Sequence, residues 1–182
     1  MGGNSSKENK EKNEEPPIQA PRANLMEDTK YVLLIHKSDT EKKEEIVENF
    51  QDAIQDKAKG SVEFVENVNI NKENYKSKLK DAFWLDKTNN VVLISLTSEA
   101  IPAIKRTCEE RGYVNDGVVH KKVFTVSFGP SLDSQWPPQG VLNAAEDARH
   151  FAFEFEDVEN ITFSDFVNSG KIKGLIGAIH SV

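Results

Sequence analysis

Short unbroken apolar runs alternate along the chain with stretches in which apolar residues recur every three or four positions. Tyr31-Val32-Leu33-Leu34-Ile35 is the first such run and reads as a strand covered on both faces. Ser38 and Glu41 have capping-box spacing, which predicts a helix start there. Ile46, Val47, Phe50, Ala53 and Ile54 then share one helical face, and Gly60 closes the unit. From Ser61 to Val68, Val62 and Phe64 alternate with Glu63, the pattern of a half-exposed edge strand. Asn71 is expected to cap a second helix whose buried stripe is Tyr75, Leu79, Ala82 and Phe83. Val91-Val92-Leu93-Ile94 is another fully buried strand, ending at Ser95. Thr97 or Ser98 then caps a third helix with Ile101, Ile104 and Cys108 inward, Pro102 in its first turn and Gly112 as its C-cap. A fourth strand runs from Val123 to Phe128 and breaks at Gly129-Pro130. A long loop through Trp136-Pro137-Pro138 precedes a short helix around Val141–Arg149. Phe151, Phe153 and Phe155 alternate with Ala152, Glu154 and Glu156 in a fifth strand with one wet face. The last helix begins near Ser164 or later and turns Ile172, Leu175, Ile176 and Ile179 inward, with Gly170 and Gly174 weakening it.

Burial pattern then predicts topology. The first, third and fourth strands read as covered on both faces, whereas the second and fifth alternate. An open parallel sheet in the order 2-1-3-4-5 puts those two at its edges. Right-handed crossovers place helices on both faces. The expected fold is α/β and flavodoxin-like: three layers around a five-stranded, mostly parallel sheet, over residues 29–182.

Residues 1–28 read as a disordered tail. Asn4 to Pro17 is nearly all Asn, Ser, Lys, Glu and Pro, too polar to offset the cost of ordering. The 182 residues therefore fit one domain plus that tail. Lys and Arg total 23 against 30 Asp and Glu, a net charge of −7, which argues against binding nucleic acid through its phosphates. A single cysteine, Cys108, fits a reducing compartment. No apolar run approaches the roughly 18–20 residues needed to span a bilayer. The start, Met1-Gly2-Gly3-Asn4-Ser5-Ser6, matches the myristoylation pattern, which makes Gly2 the candidate lipidation site. One such chain binds membranes only reversibly. Lys7, Lys10 and Lys12 add little, because Glu8, Glu11, Glu14 and Glu15 offset them. The expected location is cytoplasmic, and peripheral on the cytoplasmic face of membranes when Gly2 is acylated.

The chemistry this fold often hosts is not written here. The loop after the first strand, His36-Lys37-Ser38-Asp39, has no glycine to wrap a phosphate, so no flavin or nucleotide cofactor is expected. A phosphoreceiver would need an aspartate where Ser95-Leu96-Thr97 ends the third strand, and Asp39 reads as a helix-start charge. His36, His120, His150 and His180 have no ligand spacing, read as surface or loop residues, and predict no metal site. Cys108 reads as a small buried apolar residue, and Glu99, Glu109 and Glu110 as solvated helix charges. Trp84 and Trp136 serve either as packing residues or as partner anchors.

Three stretches carry a family resemblance. Tyr31-Val32-Leu33-Leu34-Ile35-His36-Lys37-Ser38-Asp39 resembles the first box of Toll/interleukin receptor (TIR) domains and of the related SEFIR domains. Trp84-Leu85 with Val91-Val92-Leu93-Ile94-Ser95 resembles the second helix and third strand of SEFIR domains. Lys121-Lys122-Val123-Phe124-Thr125-Val126 and the Pro-rich loop behind it resemble the fourth strand and its exit. In element order the similarity covers roughly residues 30–180. The loop Glu66-Asn67-Val68-Asn69-Ile70-Asn71 departs from the TIR pattern, lacking its Arg-Asp and Pro-Gly features, which favours a SEFIR-like or divergent TIR reading. The resemblance implies an immune or stress adaptor that associates with itself or with TIR- or SEFIR-containing proteins. Asn67, Asn69, Ile70, Asn71 and Trp136 are its candidate interaction residues. An acylated tail before such a domain resembles the layout of the membrane-sorted Toll adaptor. Some TIR domains cleave NAD⁺ with a glutamate on the helix after the third strand. Glu99, Glu109 and Glu110 occupy that region, none of them in the family's W-x-x-x-E context, so a TIR-like NAD⁺ glycohydrolase stands as the alternative to the adaptor, beside an unrelated flavodoxin-like binding module.

Overall fold

β1 (Lys30–His36) holds five consecutive side chains, Val32 to His36, that are almost wholly out of water, so both of its faces need cover. A computed structural model describes residues 2–3, 28–130, 132 and 149–182 and shows how that cover is supplied. α1 (Glu41–Ala58) follows, then β2 (Val62–Asn69), a one-turn helix α2 (Tyr75–Lys78) and a 3₁₀ turn (Ala82–Asp86). β3 (Asn90–Leu96) leads into α3 (Ile101–Arg111) and a small hairpin of β4 (Val114–Asn115) and β5 (Val118–Val119). β6 (Val123–Ser127), β7 (His150–Ala152), α4 (Phe163–Val167) and α5 (Gly170–His180) complete the described chain.

The main sheet has five strands in the order β2-β1-β3-β6-β7, and every neighbouring pair is parallel. This is the flavodoxin-like α/β order expected from the alternation of buried and half-wet strands, with β2 and β7 at the edges. Successive side chains point to opposite faces of a strand, so the sheet divides its apolar residues between two cores. Val32, Leu34, Val91, Leu93, Phe124 and Val126 pack under α1, α4 and α5. Leu33, Ile35, Val92, Ile94, Leu96 and Val123 pack on the opposite face, under α3, the 3₁₀ turn and the hairpin. Cys108 lies in that second core, and burial pushes its thiol up to about 12.

Local departures have identifiable causes. α1 is capped by Thr40, whose hydroxyl accepts from the Lys43 amide at 3.2 Å, and not by Ser38. The expected second helix is two short pieces, because Leu79 is extended (ψ 146°) and breaks the run. Leu79 and Leu85 are buried, but Phe83 is 79% exposed rather than part of a buried stripe. Lys122, itself buried, fixes the 3₁₀ turn by donating to the carbonyls of Leu85 and Lys87 at 2.7 and 2.9 Å. α3 starts one turn beyond Thr97, which caps the Ala100 amide instead. Gly112 ends it in the left-handed region (φ 77°), where a Cβ would also meet Ala82. The fifth strand stops at Ala152, although Phe153 still donates to the Ser127 carbonyl at 2.8 Å. The last helix is split after Val167, and a Thr162–Asp165 capping box starts its first piece. Of the helix expected around 141–149, only Arg149 lies among the described residues.

Candidate functional site

In an open parallel sheet, ligands bind beyond the carboxyl ends of the strands, where neighbouring crossovers leave on opposite faces. Here that place is the end of β1, between β2 and β3. β1 is apolar from Tyr31 to Ile35 and ends at His36, which is 3% exposed and not the surface histidine expected. A buried imidazole needs partners for both nitrogens. The Ser38 hydroxyl is 2.8 Å from Nδ1 and Asn67 Oδ1 is 2.6 Å from Nε2.

One tautomer of His36 satisfies both contacts as the side-chain amides are placed. The Asn67 amide nitrogen donates to Gln51 Oε1 at 3.0 Å, which leaves Oδ1 as an acceptor. Nε2 therefore carries the proton, and Nδ1 accepts from Ser38. Asn69 holds the serine in place from the backbone. Its Oδ1 accepts the Ser38 amide at 3.0 Å, and its amide nitrogen donates to the Ser38 carbonyl at 2.8 Å. The same nitrogen reaches Glu44 Oε1 at 2.7 Å, and Glu44 pairs with Lys72 at 2.9 Å. Burial lowers the His36 pKa, outweighing the Asn67 hydrogen bond and the Glu44 charge that raise it. Hydrogen bonds from Lys72 and Asn69 lower that of Glu44.

His36 is shared by two clefts. One, of about 520 Å³, lies between α1 and the end of β2 and is polar, with Glu44, Gln51, Asn67, Lys72 and Lys78 on its walls. The other, of about 570 Å³, lies at the switch point itself. Ser38, Ser95 and Thr97 line it on one side, and Ile46, Val47 and Phe128 are among its apolar walls. Both fall in the size range of small-molecule sites. Among the described residues no group of three or more His, Cys, Asp or Glu is placed to hold a metal ion. No helix among them is long and apolar enough to cross a membrane.

The residues singled out from sequence distribute unevenly around this centre. Asn67 and Asn69 belong to it. Ile70 is buried beside it, and Asn71 is exposed on the way out. Glu99, Glu109 and Glu110 are all exposed, and none lines either cleft. Gly2 is exposed, and Trp136 lies outside the described residues. Trp84 is half-buried against the second core. Sequence reasoning missed the His36–Ser38 pair and Gln51. A polar triplet closing an otherwise apolar strand, and asparagines at alternate positions of the next one, were the available signal. No family model, curated protein or solved structure matches the chain.

Proposed function

We propose that the chain is an intracellular signalling adaptor of immune or stress pathways, acting by association of its α/β domain with like domains. Its partners are TIR- or SEFIR-containing proteins or a second copy, and an acyl group on Gly2 recruits it reversibly to the cytoplasmic face of membranes. The observation that carries this reading is where the resembling stretches fall. The first box ends in the turn after β1, the Val91–Ser95 stretch is the adjacent β3, and the two are paired at the centre of the sheet. The segment after β2 supplies the surface. Asn71 to Asn74 are exposed, and Phe83 projects from a 3₁₀ turn that Lys122 and Asn90 hold from behind. A large apolar side chain kept in water on a rigid support suits a partner contact.

The test is light scattering of the full chain over a concentration series, with capture against a panel of TIR and SEFIR domains. Self-association or capture that weakens about tenfold in Phe83→Ser is the expected result, equivalent to about 1.4 kcal/mol. A monomer at every concentration that captures no such domain overturns the association claim. The membrane claim fails separately if Gly2→Ala leaves the membrane-bound fraction in cells unchanged.

A further inference from the structure

Ser38 lines the switch-point cleft, and its hydroxyl lies 2.8 Å from Nδ1 of the buried His36, which accepts from it in the tautomer that also satisfies Asn67. A serine hydroxyl is a poor nucleophile until a neighbouring base takes its proton. The base in turn works only if a third group holds its other nitrogen in one tautomer. Both conditions are met here. Asn67 Oδ1 lies 2.6 Å from Nε2, and the Asn67 amide nitrogen is engaged by Gln51 Oε1 at 3.0 Å. The order hydroxyl, imidazole, amide oxygen parallels the Cys-His-Asn constellation of papain-like proteases, with serine in place of the thiol. Asn69 clamps the Ser38 backbone on both its N–H and C=O sides, so the hydroxyl is fixed relative to the ring. Burial keeps His36 neutral at pH 7 and therefore able to accept a proton; Glu44 and Lys72 act on it with opposite signs.

We propose that Ser38 is a nucleophile and His36 its general base, that Asn67 positions His36, and that the site takes small esters with an apolar acyl group. The acyl specificity follows from the apolar part of the cleft, where Ile46, Val47, Phe128, Val158 and Ile161 share the cavity with Ser38, while Lys42, Lys43 and Glu159 also line it. In the first step Ser38 Oγ bonds to the ester carbonyl carbon while His36 Nδ1 takes the hydroxyl proton. The carbonyl electron pair moves onto oxygen, and the positive end of the α1 dipole, starting three residues on, favours that charge. The ester C–O bond then breaks, and the alcohol leaves with the proton from Nδ1. Water, deprotonated by the same nitrogen, releases the acid from Ser38. The balance is ester plus water to acid plus alcohol, with no redox partner. This inference is independent of the association reading.

Two measurements on the full chain test it. A fluorophosphonate probe, located by peptide mass spectrometry, is expected on Ser38. Labelling disappears in Ser38→Ala and slows about a hundredfold in His36→Gln, the size of a lost general base. No label on Ser38, or an unchanged rate in His36→Gln, overturns the proposal. Ser38→Cys converts the question into a titration, because Cys108 is buried with its thiol near 12 and stays silent to iodoacetamide. The introduced thiol is expected to alkylate with a midpoint at least about one unit below the ordinary ~8.5, with the shift lost when His36→Gln is added. Replacing Asn67 by Leu in that background is expected to move the midpoint back toward ~8.5, a change that lost packing alone does not produce. A midpoint at or above ~8.5 in the folded Ser38→Cys protein overturns the proposal.

Discussion

Asn69 uses both ends of its side-chain amide on a single turn. Its oxygen accepts from the Ser38 and Asn71 amides, each at 3.0 Å, and its nitrogen donates to the Ser38 carbonyl and to Glu44. Truncation leaves the buried Ser38 amide and carbonyl without these partners, a penalty paid per orphaned group, while the Asn71 amide at the exposed end can turn to water. Asn69→Ala is expected to lower unfolding stability by about 3 kcal/mol in urea titration, and a loss below about 1 kcal/mol contradicts the clamp. His36 gives a pH dependence of known sign. Burial lowers its pKa and those of His120, His150 and His180, so the unfolded chain takes up protons first as pH falls. Their contribution is complete above about pH 6.5 and is lost as pH drops through the folded values. Asp39, Glu44 and Asp157, with lowered carboxyl values, add a separate loss in more acid solution. The urea midpoint is expected to fall between pH 7.5 and 5.5, less steeply in His36→Gln; equal midpoints contradict the burial argument. The histidine itself was visible at the end of an apolar run, but that position alone does not separate a buried ring from an exposed one, because its partner Asn67 comes from another strand.

At the scale of elements, the start of α1 separates two hydroxyls that look alike in sequence. Ser38 with Glu41 has the better capping-box spacing, yet Thr40 holds the Lys43 amide while Ser38 faces His36. Thr40→Ala is therefore expected to cost about 1 kcal/mol and to speed hydrogen exchange at the Lys43 amide. In Ser38→Ala that amide keeps its cap and its slow exchange. Equal exchange in the two variants places the cap elsewhere. The same reasoning explains which elements were legible. α1, α3 and the central strands announce themselves because their apolar period and their covering face agree. The segment from Tyr75 to Asp86 does not, since a helical stripe can be drawn through Phe83 on spacing alone. Its real conformation is set by Lys122, more than thirty residues downstream, whose ammonium holds the carbonyls of the turn. The hairpin of β4 and β5, two residues per strand, is too short to carry a period.

Across the whole molecule, one aromatic cluster joins what the chain separates. The Phe50 ring of α1 lies 4.9 Å from Phe128 beyond β6, 5.8 Å from Phe153 beyond β7 and 5.4 Å from Phe166 of α4. Phe155 stacks on Phe153 at 6.1 Å and meets Phe166 edge-on. Periodicity put Phe50 on the inward face of its helix and Phe153 and Phe155 on one face of theirs, but it did not single out Phe166, and the meeting of the rings depends on parallel crossovers that bring residues 50 and 166 together. Because Phe128 also walls the switch-point cleft, this cluster couples the global fold to the site. Phe50→Ala removes the central ring, and the rings around it can collapse only by moving α1, β6 and α4 at once. The expected cost is about 3–5 kcal/mol, read as one cooperative urea transition at lower midpoint. Phe83→Ser, the same side chain lost from an exposed turn, is expected to change stability by no more than about 0.5 kcal/mol. If the two variants lose similar stability, then Phe83 is not free in water, and the 3₁₀ turn is not the surface on which a partner lands. If Phe50→Ala instead splits the transition in two, the C-terminal helices unfold apart from the central strands, and the cluster does not bind the molecule into one unit.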